Sequence, residues 1–368
     1  MADTILPRYG ERSLCEVTPS LLAALGASGF DNVLGVERVN SACLLMIDGL
    51  GWDLLQAHAE DAPFLAAHAA NQEPLTAGFP STTATSVSSF GTGMTSGQHG
   101  IVGYSFAAPE LLYALPWRVD GADARKTLVP EEIQPLPTAF ERAGIATTIA
   151  APMLQNGSGL TRSVLRGGSF RPVFGLGDLA MVVLHNKGFC YAYHADLDTV
   201  GHVYGPGSLA WRLQLRHVDH LVSTIVDALP SGALLAVTAD HGMVHMTSTV
   251  DFDTEPQLQA GVRLLGGEPR ARHVYAEPGA THDVLVAWRN LLGDKAVVVS
   301  REQAIDEGWF GPVSDRVLPR IGDVIAAALG EVGIVRTVKE AFESGFTGMH
   351  GSLTPAEMRV PFLTFVGS

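Results

Sequence analysis

Three aspartates stand where apolar runs give way to loops. Asp48 closes LLMID, Asp240 closes LLAVTAD and Asp198 closes FCYAYHADLD. Any one of them alone reads as a helix N-cap or turn residue. As a group they read differently. In open α/β sheets, ligands bind beyond the carboxyl ends of the strands, and three carboxylates on that rim repel one another unless cations neutralise them. Histidine adds nitrogen donors nearby. Asp198-Thr-Val-Gly-His202 places two candidate ligands four residues apart, and Asp240-His241 places two side by side. Imidazole and carboxylate donors without thiolate suit Zn²⁺, Mn²⁺ or Fe²⁺. Asp196 is an alternative donor by proximity. Most of the 13 histidines read as structural, but His350 is set apart by the tight loop Gly348-Met-His-Gly351, shortly before a final apolar run.

A nucleophile is available in Phe79-Pro-Ser-Thr-Thr-Ala-Thr-Ser. Pro80 sets an extended entry, and the small hydroxyl residues after it begin a helix whose first N–H groups favour an anion. A hydroxyl there becomes nucleophilic once a cation lowers its pKa. On local sequence alone the stretch reads as a Ser/Thr-rich cap, and spacing does not choose among its hydroxyls.

These residues need a frame. Short apolar runs at residues 42–47, 147–151, 180–184, 189–193, 234–238 and 361–366 are bounded by Gly, Pro or Asp and fit buried parallel strands. Helical stretches lie between them. The clearest runs from Ser208, a plausible N-cap, to Leu229, with a stripe of Leu209, Leu213, Val218, Leu221, Ile225 and Leu229. Strand–helix alternation predicts an α/β fold, a doubly wound and mostly parallel sheet flanked by helices. Residues 251–312 carry their own strand, helix, strand and helix, and are expected to form a small α+β cap. The catalytic core is then residues 1–250 and 313–368.

Composition narrows the function. Hydrophobic residues make up 46 % of the 368 and charged residues 17 %, which supports a substantial core and excludes extensive disorder. A net charge of −14 with no run of Lys or Arg argues against nucleic acid and anionic membranes as partners. A phosphate substrate must then be drawn in by bound cations. Cys15, Cys43 and Cys190 form no CxxC pair and read as buried free thiols in a reducing compartment. The opening Met1-Ala-Asp-Thr-Ile-Leu-Pro-Arg lacks the pattern of a leader, and no apolar run is long enough to span a bilayer. A cytoplasmic protein is expected.

The ordered set Ile47-Asp48-Gly49, Phe79-Pro80…Thr83…Thr92-Gly93…His99-Gly100, Asp198…His202…Gly205-Pro206, Asp240-His241-Gly242-Met243 and His350-Gly351 resembles the alkaline phosphatase superfamily. The similarity is to its nucleotide pyrophosphatase/phosphodiesterase branch and runs from residue 47 to the end, outside the cap. The resemblance implies Thr83 as the nucleophile, one metal held by Asp48, Thr83, Asp240 and His241, and a second held by Asp198, His202 and His350. It implies two divalent ions, zinc first among them, and hydrolysis of a small phosphodiester or nucleotide pyrophosphate through a phosphothreonine. One position departs from the branch. Ser86 stands where an Asn commonly donates to a phosphoryl oxygen, and its shorter hydroxyl, Thr85 or a backbone N–H is expected to take that part.

Rival readings are a phosphomonoesterase or phosphomutase of the same superfamily, or a catalytically silent metal-stabilised binding protein. A sulfatase is disfavoured, because no Cys/Ser-x-Pro-x-Arg stands near residues 81–86. Arg162, Arg166 and Arg272 are cations that a monoester would call for, and each reads as a solvated surface residue. His273, Tyr275 and Trp309 in the cap read as packing.

Overall fold

The computed structural model describes residues 4–368, so the leader-free reading of the segment opening at Met1 lies partly outside the described residues. A six-stranded sheet forms the centre. Its order is Phe362–Val366, Ala233–Thr238, Ser41–Ile47, Phe189–His194, Thr147–Pro152 and Ser169–Val173. All neighbours are parallel except Phe362–Val366, which runs antiparallel along one edge. The fold is therefore the expected α/β sheet with flanking helices.

The apolar runs explain the interior. Every residue of Phe189–His194 and Ala233–Thr238 is buried, as are six of the seven in Ser41–Ile47, so both faces of these strands are covered. Cys43 and Cys190 sit opposite each other on adjacent strands as buried free thiols. Register sets up the site. Met46 lies beside both Tyr193 and Thr238, so the chain segments leaving three central strands emerge together at one edge of the sheet. Asp48, Asp198 and Asp240 lie on those segments.

Two expectations need correction. Residues 180–184 are not a strand but the end of the helix Leu176–Leu184. Its buried residues Leu179, Val182 and Val183 follow helical spacing, and a five-residue apolar run cannot by itself separate the two periods. The strand in that region is Ser169–Val173, whose half-exposed SFRPV carries a proline tolerated only at a sheet edge. In the long helix Leu209–Asp227, Ser208 caps the N-terminus by accepting from the Trp211 amide at 3.2 Å. Leu209 and Leu213 are exposed, however, and Trp211 and Leu215 face the core instead.

A second, four-stranded antiparallel sheet runs in the order Val262–Glu268, Ala271–Ala276, Val324–Ala328, Ala296–Ser300. The helix Thr281–Leu292 buries Trp288 in a separate apolar cluster with residues of this sheet. Val324–Ala328 lies beyond residue 312, so the sheet draws on chain that the expected cap boundary leaves in the core. Among the described residues, no helix is long and apolar enough to cross a membrane.

Buried ion pairs join this layer to the active edge. Arg270 is fully buried, and its guanidinium meets Glu357 through Nε at 3.0 Å and Nη2 at 2.7 Å. The same carboxylate accepts from the Ser352 amide at 3.1 Å and from the Thr354 hydroxyl. The Glu357 carbonyl accepts from the Gly242 amide at 2.8 Å. Gly242 itself permits this approach, because a Cβ there would stand 1.9 Å from the Ala356 carbonyl oxygen. One residue thus ties the cap sheet to the loops carrying His241 and His350. Glu357→Ala strands the Arg270 charge and is expected to cost about 3–5 kcal/mol. Denaturant titration reads it; a loss below about 1 kcal/mol would contradict the anchoring role.

Candidate active site

Two clusters of ligand-type side chains form at the carboxyl edge of the central sheet. Asp48, Asp240 and His241 make one; Asp198, His202 and His350 make the other, each with donor atoms within 4.8 Å of one another. Asp48 follows the central strand directly, and Asp240-His241 follows its neighbour. Asp198 and His202 lie one turn apart on the helix Asp196–Tyr204. His350 arrives from far along the chain, on a loop held by the pairing of Gly348–Met349 with Val244–His245. Asp196 is exposed and stands in neither cluster.

The three imidazoles are oriented alike. His241 Nδ1 lies 2.9 Å from the Gly242 carbonyl, His202 Nδ1 lies 2.7 Å from that of Gly348, and His350 Nδ1 lies 3.0 Å from that of Ser81. A carbonyl oxygen only accepts, so each Nδ1 carries a hydrogen, and in a neutral ring Nε2 then holds the lone pair. Those Nε2 atoms point at carboxylates. His241 Nε2 is 3.4 Å from Asp48 and 3.3 Å from Asp240, while His202 and His350 are 3.2 and 3.8 Å from Asp198.

Thr83 sits between the clusters' elements, at the first position of the helix Thr83–Thr92. Its Oγ1 is 3.2 Å from His241 Nε2 and 3.5 Å from Asp48 Oδ1. Tertiary placement thus separates it from the neighbouring hydroxyls. Thr85 donates to the Ile101 carbonyl and Ser81 to that of Ser352.

The sequence profile of the family described as type I phosphodiesterase / nucleotide pyrophosphatase matches residues 42–353. The chain belongs to that family. Among solved structures, murine ectonucleotide pyrophosphatase / phosphodiesterase 5 superimposes with a TM-score of 0.66, 18 % identity and 88 % of each chain covered. Phosphonoacetate hydrolase from Sinorhizobium meliloti 1021 gives 0.63 at 17 % identity, over 88 % of this chain and 89 % of the other. At such identities the likeness shows the fold. A phosphopentomutase from Anaeromyxobacter sp. (strain K) is 30 % identical over 149 residues, which is 40 % of this chain and 34 % of the relative. The match thus spans about a third of that protein's length.

In this member of the type I phosphodiesterase family, Ser86 does not take the part expected of it. It is fully buried and donates its one hydroxyl hydrogen to the Asp240 carbonyl at 2.8 Å, which steadies the Asp240 loop and leaves nothing to give a phosphoryl oxygen. The arginines also differ from expectation in part. Arg162 and Arg166 pair with Glu131 and Glu141, while Arg272 is buried rather than solvated and pairs with Glu340 at 2.8 Å.

A cavity of about 480 Å³ opens beside Thr83 and is lined by Asp48, Asp198, His202 and His350. His273, Tyr275 and Trp309 are buried and take no part in its wall. Tyr193 and Glu268 are among the lining residues that escaped the sequence reading. Tyr193 donates its hydroxyl to Asp48 Oδ2, and Glu268 reaches the cavity from the cap sheet. Tyr193 was visible only as one aromatic in a buried strand, and nothing in the sequence near Glu268 marks it.

The electrostatics test whether this set suits a metal. Burial pushes the Asp48 carboxyl well above its usual range, and the facing Asp240 and Asp198 push it further. Burial also acts on Asp198, but the His202, His350 and His241 imidazoles outweigh it and hold that carboxyl below the ordinary range. Burial, then the neighbouring His241, holds His350 neutral. Asp198 Oδ1 and Asp240 Oδ2 are buried without any hydrogen-bond partner. Partnerless buried carboxylate oxygens beside imidazole Nε2 atoms are the donor set a cation site requires. The residues fit.

A donor behind a ligand tunes it, and removing such a donor typically lowers metal affinity about 10–100-fold. Tyr193→Phe deletes only the hydroxyl on Asp48. A metal-competition titration is expected to show weakened binding by about tenfold, with the fold intact by circular dichroism. Unchanged affinity would remove Tyr193 from the site.

Proposed function

We propose that this protein hydrolyses phosphodiesters or nucleotide pyrophosphates through a covalent phosphothreonine at Thr83. The observation that carries the reading is the contact of Thr83 Oγ1 with both His241 and Asp48 on the wall of the cavity that the two clusters share. Asp48, Thr83, Asp240 and His241 would hold one divalent ion, and Asp198, His202 and His350 the other. Zinc suits this donor set, as do Mn²⁺ and Fe²⁺. When bound, the ions supply the positive charge that lowers the hydroxyl pKa and offsets the charge of the phosphate.

The chain's own residues do the rest. Thr82, the N-cap, makes no capping bond with its side chain, which leaves first-turn N–H groups of the Thr83 helix free for an anion. Thr83 Oγ1 gives up its proton, which ends on the departing alcohol or phosphate, and attacks phosphorus as that group leaves on the far side. Water then attacks the phosphothreonine, releasing the product and restoring the hydroxyl. Asp48 is steadied by Tyr193 and Asp240 by Ser86, so the carboxylates keep their places as charge moves between them.

Relatives support the class of substrate. An inactive form of murine ectonucleotide pyrophosphatase / phosphodiesterase 5 was solved in complex with AMP, and the Sinorhizobium hydrolase in complex with phosphonoacetate. The partial match to phosphopentomutase favours a second reading, in which the phosphoryl group returns to a sugar instead of passing to water. Release of free product from a diester separates the two.

Thr83→Ala is expected to abolish turnover of bis(p-nitrophenyl) phosphate while both metals stay bound, read by product absorbance and metal analysis. Normal turnover would sink the nucleophile assignment. His350→Ala removes one of three ligands from its cluster and is expected to deplete roughly one metal of the two. Full occupancy in that variant would take His350 out of the ligand set.

A further inference from the structure

The cap sheet carries a second cavity, of about 310 Å³, lined by residues 262–265 together with Phe252, Gln259 and Arg336. None of these residues lines the cavity beside Thr83. On the strand Val262–Glu268, Glu268 is the residue that reaches the Thr83 cavity. Arg263 stands roughly 16 Å of extended strand away from it.

The strand is irregular where it meets this second cavity. A regular strand turns alternate side chains to opposite faces, so four consecutive residues along one cavity mark a break in the pleat. The pairing with Ala271–Ala276 slips at that point, with Val262 opposite Ala276 and Leu264 opposite Tyr275. Arg263 is the extra residue of the bulge, and a bulge re-aims the side chain it inserts.

The charges around the cavity are one-sided. Two guanidinium groups line it and no carboxylate does, in a protein of net charge −14. Arg263 is exposed and forms no ion pair among the described residues. Arg336 is more enclosed. Its side chain is 14 % exposed, lies 5.3 Å over the Phe252 ring and gives Nε to Asp253 at 3.3 Å. The other Asp253 oxygen accepts from the Val338 and Lys339 amides at 2.9 and 3.1 Å. Both Nη groups of Arg336 are without a hydrogen-bond partner among the described residues. A guanidinium fixed on a ring with its outer nitrogens free is set for an acceptor that the protein does not supply. Beside it the Gln259 amide donates to the Phe252 carbonyl at 2.8 Å and keeps a second hydrogen to give.

Three kinds of occupant differ in what they leave unpaired. A neutral apolar molecule would cover the guanidinium groups without offering an acceptor. A carboxylate brings one negative charge and suits one fork. A phosphomonoester brings close to two charges and three strong acceptor oxygens, enough for both arginines at once. Its alcohol can rest on Phe252 and Leu265. The volume stands at the small end of the range of about 300–1,000 Å³ for small-molecule sites, which calls for a compact alcohol.

We propose that the cap carries an anion site for a small phosphomonoester, its head held by Arg263 and Arg336 and its body set against Phe252 and Leu265. The site is separate from the two ligand clusters and stands whether or not the hydrolase reading does.

Isothermal titration of the zinc-loaded, full-length protein with phenylphosphonate tests this. That probe has a doubly charged head, a ring for the apolar wall and no ester bond to cleave. One binding event is expected to depend on Arg263, so that Arg263→Gln weakens it at least about tenfold and leaves any binding at the metals unchanged. Arg263 is exposed and outside both clusters, so the variant is expected to keep the circular dichroism of the unaltered protein. Benzoate is expected to bind the Arg263-dependent site at least about fivefold more weakly, and neutral benzamide not to compete for it. Absence of any event sensitive to Arg263→Gln overturns the site. Benzoate binding there as tightly as phenylphosphonate overturns the phosphomonoester class, and competition by benzamide overturns recognition by charge. Turnover of bis(p-nitrophenyl) phosphate reports separately on the hydrolase reading, so the two can fail independently.

Discussion

Three carboxylates, Asp48, Asp198 and Asp240, converge at the carboxyl edge of the central sheet, and two of them are almost wholly buried. Two like charges about 4 Å apart repel by roughly 4 kcal/mol at an effective dielectric of about 20. Nothing in a protein of net charge −14 relieves that in bulk. The relief must be local, and the neighbouring side chains are arranged to receive it. Each of three imidazoles gives its Nδ1 hydrogen to a main-chain carbonyl and turns Nε2 inward, while two carboxylate oxygens are left without partners. Burying so much charge costs stability unless it is compensated. That the fold keeps it marks this edge as the place where function outweighs stability.

The second sheet matters because the site is assembled from distant parts of the chain. Asp48 and His350 are separated by most of the sequence, and the loop that carries His350 has little local structure to fix it. Glu357 supplies the restraint. Its carboxylate holds Arg270 of the cap layer and the Ser352 amide, and its carbonyl holds Gly242 beside His241. A displacement of the cap sheet therefore reaches both clusters, through Glu357 and also through the Ser352 hydroxyl, which donates to the Ala328 carbonyl of that sheet at 2.6 Å. The same layer contributes Glu268 to the cavity, so the part of the chain that braces the site also shapes what enters it.

Much of the core was legible in the sequence because its strands are buried on both faces. Runs such as ACLLMI and LLAVT have few other places to go, and an aspartate after each marks the strand end. The strands and helices expected within residues 251–312 are present, but the extent of the sheet they join was not legible. Val324–Ala328 is a plain apolar run, and only pairing with Ala271–Ala276 and Ala296–Ser300 assigns it to the second sheet. Residues 180–184 misled for a related reason, since five apolar residues fit a strand or one side of a helix equally well.

By itself the sequence determined which side chains can carry the chemistry, since carboxylates after strands, paired histidines and a hydroxyl-rich helix start are local features. The ordered motifs then placed the chain in its family. What only the tertiary structure decided was the use of each group. Thr83 stands out from its neighbours by its distance to His241 and Asp48, and Ser86 is withdrawn by a bond to the Asp240 carbonyl. Tyr193 and Glu268 join the cavity although no spacing marks them. The physical reason is the same in each case. Ligand type is a property of the residue, but a hydrogen bond, a lone pair's direction and an unpaired buried charge depend on what the fold brings against it.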